Sequence, residues 1–348
     1  MKKFAVILFI LLPLTVAAYI FIFPDRIVSE RENRNLMTWN SLSKNITEGQ
    51  FQSDFESYLS DQFPFKDKLI FVQTGLRIAA GQKDIGGAYI CDGDRLVQKI
   101  TDSDINKKSL ISFADKVNNL AKSNKVYVMY VPSAEISLKS LLPAGAPVYN
   151  YDALYTQLCD RLCNAKMIDL KDSLQSADCY YKTDHHWNAY GAYTAYAAFC
   201  RAKGETPKSI ESFGLKTVTG DFRGTLFSKI PAVKTADEIL LPQTCDLIVT
   251  ADGAKVDFYD MSALEITDKY RVFQGGNHGI CEIVSKSSQS GKTLLILKDS
   301  FANSFVPFIV GDYSKIILLD DRYTFLSLED YVKMTDPDEI LVLREMIN

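Results

Sequence analysis

Thr183-Asp184-His185-His186-Trp187-Asn188 holds two of the three histidines in the chain. An aspartate ahead of paired histidines can supply the acid–base half of a hydrolase-type triad. The carboxylate fixes the imidazole tautomer and favours its cation, and the imidazole takes a proton from a nucleophile. The best nucleophile lies far downstream, where the apolar run Leu294-Leu295-Ile296-Leu297 leads through Lys298-Asp299 into Ser300. Phe301, Ala302 and Phe305 then recur at helical spacing. A serine at a strand-to-helix turn exposes its hydroxyl at the sheet edge, and its own N–H can face an oxyanion. The expectation is that Asp184, His186 and Ser300 meet in space. In an extended segment, residues two apart point the same way, which pairs Asp184 with His186 and turns His185 to the opposite side.

Plainer readings stand beside these. Thr183 or Asp184 could cap the following helix, with His185, His186 and Trp187 packing locally, and Asp299 and Ser300 are both good caps for theirs. A metal could be held by Asp184, a histidine and His278, although no cysteine or glutamate cluster completes that set. Ser133, in Pro132-Ser133-Ala134-Glu135 after a buried strand, is a second nucleophile candidate. In Gly275-Gly276-Asn277-His278, glycine lets backbone approach a ligand and the Asn277 amide can donate to an oxyanion; an ordinary turn has the same composition. Arg322, at the end of the strand 316–319, could bind an anionic group or a sugar, or form a surface ion pair.

Several elements must position these groups. Residues 126–131 are apolar on both faces and follow the amphipathic helix marked by Leu110, Phe113, Val117 and Leu120. That sequence of elements signals an α/β sheet, whose chemistry sits at the carboxyl ends of its strands. Further strands are expected at 167–170, 293–297, 316–319 and 340–343, and helices at 151–163 and 189–200, the latter stopped by Gly204. Residues 89–97 read as a hairpin turning at Asp92-Gly93-Asp94. Residues 205–270 lose the α/β rhythm and read as a β-rich insertion with a hairpin around Ala251-Asp252-Gly253. Residues 25–80 read as a helical collar, with Phe51, Phe55, Tyr58 and Leu59 on one helix and Leu69, Val72 and Leu76 as the apolar face of a second that begins near Pro64.

A chain of 348 residues with 47 % apolar content and a net charge of −4 can build a full core and carries no basic footprint for nucleic acid. No glycine-rich phosphate loop is present. Residues 4–23 carry no charge and follow Lys2 and Lys3, and about twenty apolar residues cross a bilayer core. The lysines would keep to the cytoplasm and the remainder of the chain would face outward. A cleaved signal peptide ending before Tyr19 is the alternative. The seven cysteines are scattered and odd in number. Export would permit some pairing, but without a Cys-x-x-Cys they read mainly as small buried apolar residues.

Taken together, these residues resemble the DHHW proteins. The resemblance rests on Thr183-Asp184-His185-His186-Trp187, on Lys298-Asp299-Ser300-Phe301-Ala302-Asn303-Ser304, on Glu32-Asn33-Arg34 with Asp61-Gln62-Phe63-Pro64-Phe65, and on Gly276-Asn277-His278. DHHW proteins are similar to alginate O-acetyltransferases, whose Thr-Asp-x-His-Trp motif matches Asp184 and His186 and whose nucleophile matches Ser300. The resemblance implies an SGNH-hydrolase-like three-layer α/β/α domain at 81–348 with a small β-rich insertion at 205–270. A collar at 25–80 and an N-terminal transmembrane helix or signal peptide at 1–24 would precede it. Gly276, Asn277, Asn303 and Arg322 would serve oxyanion or substrate binding, with His185 and Trp187 in support. The implied activity is extracytoplasmic O-acetylation of a cell-surface polysaccharide through an acetyl-serine, needing no cofactor or metal. A membrane-bound O-acyltransferase would supply the acetyl group at the cell membrane. The same triad with water as acceptor would be a carbohydrate acetylesterase. A lapsed triad would leave a non-catalytic wall-polysaccharide-binding or scaffold protein.

Overall fold

A strand that is apolar on both faces must be covered on both sides. In the computed structural model of the chain, which describes residues 2–44, 49–324 and 326–347, such strands form the centre of an eight-stranded sheet. The chain divides into two compact units, Met1–Gln82 with Ile230–Val233, and Lys83–Lys229 with Lys234–Asn348.

The first unit contains α1 (Lys2–Ile22), the antiparallel pair β1 (Val28–Ser29) and β2 (Arg34–Asn35), α2 (Gln50–Asp61) and α3 (Lys66–Ala79). Its two family-like clusters form one polar clasp. Arg34 donates through both terminal nitrogens to the buried Asp61 carboxylate, at 2.8 and 2.5 Å, and the Met37 N–H adds a third bond at 2.9 Å. The Arg34 bonds hold Asp61 well below the usual carboxylate range against the opposing effect of burial. α3 begins at Lys66, two residues beyond Pro64, behind Phe65 in a left-handed conformation at φ 57°. Its expected apolar face is exposed: Leu69, Val72 and Leu76 are 52, 55 and 67 % accessible. The residue it buries is Thr74, beside Gly75, which lies near Ala232. Among the described residues no helix is long and apolar enough to cross a membrane, which leaves the expected span at residues 4–23 without support.

The second unit opens with the three-stranded meander β3 (Asp84–Ile85), β4 (Ala88–Ile90) and β5 (Leu96–Gln98). The β4–β5 turn runs through Asp92–Asp94 as expected, with Gly93 at φ 72°. There follow α4 (Lys107–Leu120), β6 (Val126–Val131), α5 (Ala134–Ser137), α6 (Tyr151–Arg161), β7 (Lys166–Met167) and α7 (Ala189–Lys203). β8 (Lys216–Phe222), α8 (Thr225–Lys229) and β9 (Asp237–Leu241) come next, then β10 (Leu247–Ala251), β11 (Ala254–Val256), β12 (Ile280–Ser285) and β13 (Thr293–Lys298). The chain closes with α9 (Phe301–Ile309), β14 (Lys315–Leu319), α10 (Leu328–Thr335) and β15 (Glu339–Glu345).

The central sheet has the order β11-β10-β12-β14-β13-β15-β6-β7. β14, β13, β15, β6 and β7 are parallel, while β12, β10 and β11 continue the sheet antiparallel. Alternate strand residues serve opposite cores. Met129, Ile296, Leu318 and Leu341 pack with α7 and α9, and Val128, Leu295, Ile317 and Val342 with α4, α6 and α10. The result is a mixed α/β fold with helices on both faces of a large sheet. Only β8 and β9 of the region 205–270 pair apart from it. The hairpin β10–β11, expected in the insertion, is the edge of the central sheet, because Val249 and Ala251 alternate into the core.

Parallel strands leave their carboxyl ends along one edge. Ser300 follows β13 there, Asp320 follows β14, and Ser133 and Glu135 follow β6. β12 is antiparallel, so its first residue, Ile280, lies opposite Leu319 at the end of β14. The loop carrying Asn277 thereby reaches the same edge.

Glu135 is 0 % exposed. Burial first, and the nearby Glu345 carboxyl second, push it up to about 9 from 4.5. The folded state then holds this proton more tightly than the unfolded chain between those values. Stability falls as pH rises across that window, by at most about 1.4 kcal/mol per pH unit. Glu135→Gln removes the titration. Urea unfolding at pH 5 and pH 8 is expected to show Gln outperforming Glu by a margin that widens towards pH 8; equal margins would mean that Glu135 is ionised in the fold.

Candidate active site

The segment 182–186 is a bend, not a strand. Asp184 Oδ1 accepts the backbone N–H of His186 at 3.0 Å and meets His186 Nδ1 at 2.6 Å. The pairing of residues two apart therefore comes from a turn closed on the aspartate's own side chain, and strand alternation has no part in it. Tyr181 N–H donates to His186 O at 3.2 Å across the turn. The Asp237 carboxylate takes the N–H groups of Lys182 and Thr183 at 2.7 and 2.8 Å and the Thr183 hydroxyl at 2.6 Å. The cap of α7 is Asn188, whose side chain accepts from Tyr190 and Gly191 N–H, so Thr183 and Asp184 are free of that duty.

At the other stretch, β13 runs into α9 through Asp299 and Ser300. Asp299 Oδ1 accepts the Phe301 N–H at 2.9 Å, and Oδ2 accepts the Glu345 N–H at 2.7 Å. Asp299 thus ties the helix start to β15 and leaves the Ser300 hydroxyl uncommitted to capping. Ser300 Oγ lies 2.7 Å from His186 Nε2. The buried Trp187 joins the two stretches, donating through Nε1 to Phe301 O at 3.0 Å and Ser304 Oγ at 2.9 Å. Tyr270 stacks on the His186 ring, with centroids 4.2 Å apart and planes 10° from parallel, and its hydroxyl donates to Ser300 O at 3.1 Å.

These partners fix the protons. An ionised carboxylate only accepts, so His186 Nδ1 carries the hydrogen and Nε2 is left to accept from Ser300. Burial alone would raise the Asp184 carboxyl. The His185 and His186 imidazoles, the His186 hydrogen bond and the Thr225 N–H outweigh it and hold Asp184 well below the usual range. Asp184 Oδ2 accepts Thr225 N–H at 2.7 Å and the Thr225 hydroxyl at 3.0 Å. Because that hydroxyl gives its hydrogen to Asp184, it accepts from His185 Nδ1, 2.8 Å away. His185 is pushed down to about 4, by desolvation first and the neighbouring His186 ring second, so it is neutral at pH 7. Its ring lies 3.9 Å from that of His186. The expectation that His185 turns to the opposite side is corrected: the bend keeps both rings together.

Asn277 and Asn303 are joined, with Asn303 Nδ2 donating to Asn277 Oδ1 at 3.2 Å. The buried Lys298 donates to Asn303 Oδ1 at 2.6 Å. Burial pushes Lys298 down to about 8, with Asp320 and Asp299 opposing. Gly276 forms the turn, at φ 116° and with its N–H bonded to Phe273 O; among the described residues no hydrogen bond joins it to Ser300. Arg322 is engaged by Asp320, at 2.8 Å through Nε and 2.6 Å through Nη2. Ser133 is 2 % exposed and bonded to the Tyr149 hydroxyl at 3.3 Å, with no imidazole beside it. His278 braces its loop between Asp252 and Gln274 O. Among the described residues, Asp184, His185 and His186 bring one potential metal ligand atom each within 4.8 Å of one another. His278 lies outside that group, held by Asp252 and Gln274 O, so the expected set of Asp184, a histidine and His278 is not brought together. All seven cysteines are free.

Thr225, Asp237 and Tyr270 are the participants that motif reading missed. All three lie in the region 205–270, where no local spacing marks them. Gly224 is another: a Cβ built there would stand 2.2 Å from Asp184 Oδ2 and 2.3 Å from its Cβ. Gly224→Ala must therefore displace the carboxylate. A displacement near 1 Å costs about a hundredfold in rate. Any activity that runs through Asp184 and His186 is expected to fall at least that far in the variant while its circular dichroism stays native; near-normal activity would mean that Asp184 need not be held this tightly.

A family model for DHHW protein matches residues 113–319. In structure the chain is similar to a DHHW family protein from Eubacterium siraeum, with TM-score 0.62 and 22 % identity over 75 % of this chain and 91 % of that one. Bacillus cereus PatB1, solved with a sulfonyl adduct, is also similar, with TM-score 0.62 and 18 % identity over 75 % and 94 %. The O-acetyltransferase domain of Pseudomonas putida AlgJ gives TM-score 0.48 and 14 % identity over 75 % and 91 %. No curated protein matches the chain in sequence. The identities are those of a shared fold. The family match spans well over half of the 348 residues, and the chain belongs to the DHHW family.

Proposed function

We propose that this protein is an O-acetyltransferase of SGNH-hydrolase type that acetylates a cell-surface polysaccharide through an acetyl-serine on Ser300. The observation that carries the proposal is the unbroken line of hydrogen bonds from Asp184 through His186 to the Ser300 hydroxyl. That line ends at the carboxyl edge of an α/β sheet, where such chemistry is usual. The choice of acetyl and polysaccharide rests on the resemblance of the Thr-Asp-x-His-Trp motif and Ser300 to the alginate O-acetyltransferases.

His186 Nε2 removes the Ser300 proton as Oγ attacks the acetyl carbonyl carbon. Asp184 keeps the ring in its tautomer and stabilises the imidazolium. The Ser300 N–H and Asn277 would donate to the oxyanion, an effect of about 2.7–4 kcal/mol per donor. Collapse breaks the donor ester bond, and the leaving oxygen takes the proton from His186. A sugar hydroxyl then gives its proton to His186 as it attacks the acetyl-serine; collapse breaks the bond between Oγ and the acetyl carbon, His186 returns the proton to Oγ, and the sugar leaves as its acetyl ester. The acetyl group would arrive from a membrane-bound O-acyltransferase, and this step would take place outside the cytoplasm at the cell membrane.

Nucleophile and base act as a unit, so their losses do not add. Ser300→Ala and His186→Ala should each abolish cleavage of an acetyl ester, and the double variant should be no worse. Asp184→Asn should lose rate heavily through the wrong tautomer. His185→Gln should lose far less, since His185 meets Asp184 at 3.6 Å and through Thr225, whereas it is His186 that meets the Ser300 hydroxyl. Equal losses for His185→Gln and His186→Ala would refute these roles. In cells, deleting the protein should lower the acetyl content of surface polysaccharide, with restoration by the native chain and not by Ser300→Ala. A rise on deletion would instead identify a deacetylating enzyme.

A further inference from the structure

An amide side chain accepts at one end and donates at the other, and its partners decide which end meets a ligand. Lys298 decides it here. Its ammonium has donors only, is 3 % exposed, and points at two amide oxygens: Asn303 Oδ1 at 2.6 Å and Asn277 Oδ1 at 3.5 Å. Both carbonyl ends are therefore turned towards Lys298. Asn303, 2 % exposed, spends its Nδ2 on Asn277 Oδ1 at 3.2 Å. With Asn277 Oδ1 claimed from two sides, its Nδ2 is the end left over. Asn277 is exposed while the other two members are buried, so the row of donors emerges into solvent only at Asn277. The row is fixed to the nucleophile, because the Asn303 N–H donates to Ser300 O at 3.2 Å.

The Lys298 charge is supported by one carboxylate at the end of the neighbouring β14 and one in its own segment. Asp320, after β14, is 0 % exposed and held by Arg322. Asp299 adjoins Lys298 in the chain and is held by the N–H groups of Phe301 and Glu345. The sheet thus keeps a compensated cation behind a pair of amides at the edge where Ser300 stands.

We propose that Lys298 is a positioning residue that, through Asn303, turns the Asn277 amide so that its NH2 end donates to the oxyanion formed on Ser300. This rests on the acyl-transfer reading and adds to it the device that orients the donor. No bond to Lys298 forms or breaks in the reaction.

Three variants test it with 4-nitrophenyl acetate as the probe. Lys298→Met removes the donor that orders both amides. Asn277→Ala removes the end of the row. Asn303→Asp keeps an oxygen partner for Lys298 but removes the Nδ2 donor. Each should lower kcat about a hundredfold, as loss of one oxyanion donor does, with KM little changed. Lys298→Met combined with Asn277→Ala should be no worse than either alone, an outcome that a merely structural role for Lys298 would not produce. If Lys298→Met fails to fold, Asn303→Asp carries the test, read against Asn277→Ala in the same way. Normal kcat in Lys298→Met or Asn303→Asp, or losses that multiply with Asn277→Ala, would overturn the inference while Ser300-dependent turnover stands. Absence of any Ser300-dependent turnover in the native chain would overturn the acyl-transfer reading, and this inference with it.

Discussion

The Asp184 carboxylate is the group on which the rest of the site depends. It is 2 % exposed, and an ion so buried persists only if its oxygens are satisfied. Four donors do this. Two come from His186 in its own turn and two from Thr225, about forty residues away. Hydrogen bonds to a charged group contribute about 1.5–3 kcal/mol each, so the turn and the Gly224-Thr225 corner stabilise one another through the anion they share. The missing Cβ at Gly224 is what allows the corner to approach.

The same economy recurs at Ser300. A helix start leaves backbone N–H groups that a serine hydroxyl would ordinarily serve. Asp299 serves Phe301 in its place and also holds the end of β15. The Ser300 hydroxyl is then free to face His186. Trp187 completes the alignment, since its single N–H reaches into the first turn of α9 and its rigid ring, buried beside Phe301, adds large apolar contact. Three short stretches are thereby locked to one another by buried groups of opposite hydrogen-bonding character, and Tyr270 closes the side of the imidazole.

The pieces readable from sequence were those whose signal is local. Asp184-His185-His186-Trp187 and Asp299-Ser300 each carry their chemistry within a few residues, and the two-face-apolar runs before Ser300 and Ser133 announced buried parallel strands. Thr225, Asp237 and Tyr270 were invisible because their roles come from tertiary approach across gaps that no periodicity spans. The direction of His185 is not legible because strand alternation turns it away, whereas the bend closed by the Asp184 side chain keeps it beside His186. The β10–β11 hairpin looks like an insertion because its strands are short and half exposed, with Ile248 and Thr250 turned outward while Val249 and Ala251 face the core. In the first unit, Leu69, Val72 and Leu76 share a helical face, yet periodicity reports only that they share it, and α3 buries Thr74.

The central claim is that Ser300 carries the acyl group between donor and acceptor. It is tested most directly by rapid acid quench of the native protein with 4-nitrophenyl acetate, followed by mass spectrometry of its peptides. An acetyl group on Ser300, formed within the first turnover and absent from His186→Ala, is the predicted result. Turnover with no acetylated peptide at early times, or an acetyl group on Ser133 with Ser300 unmodified, would contradict it.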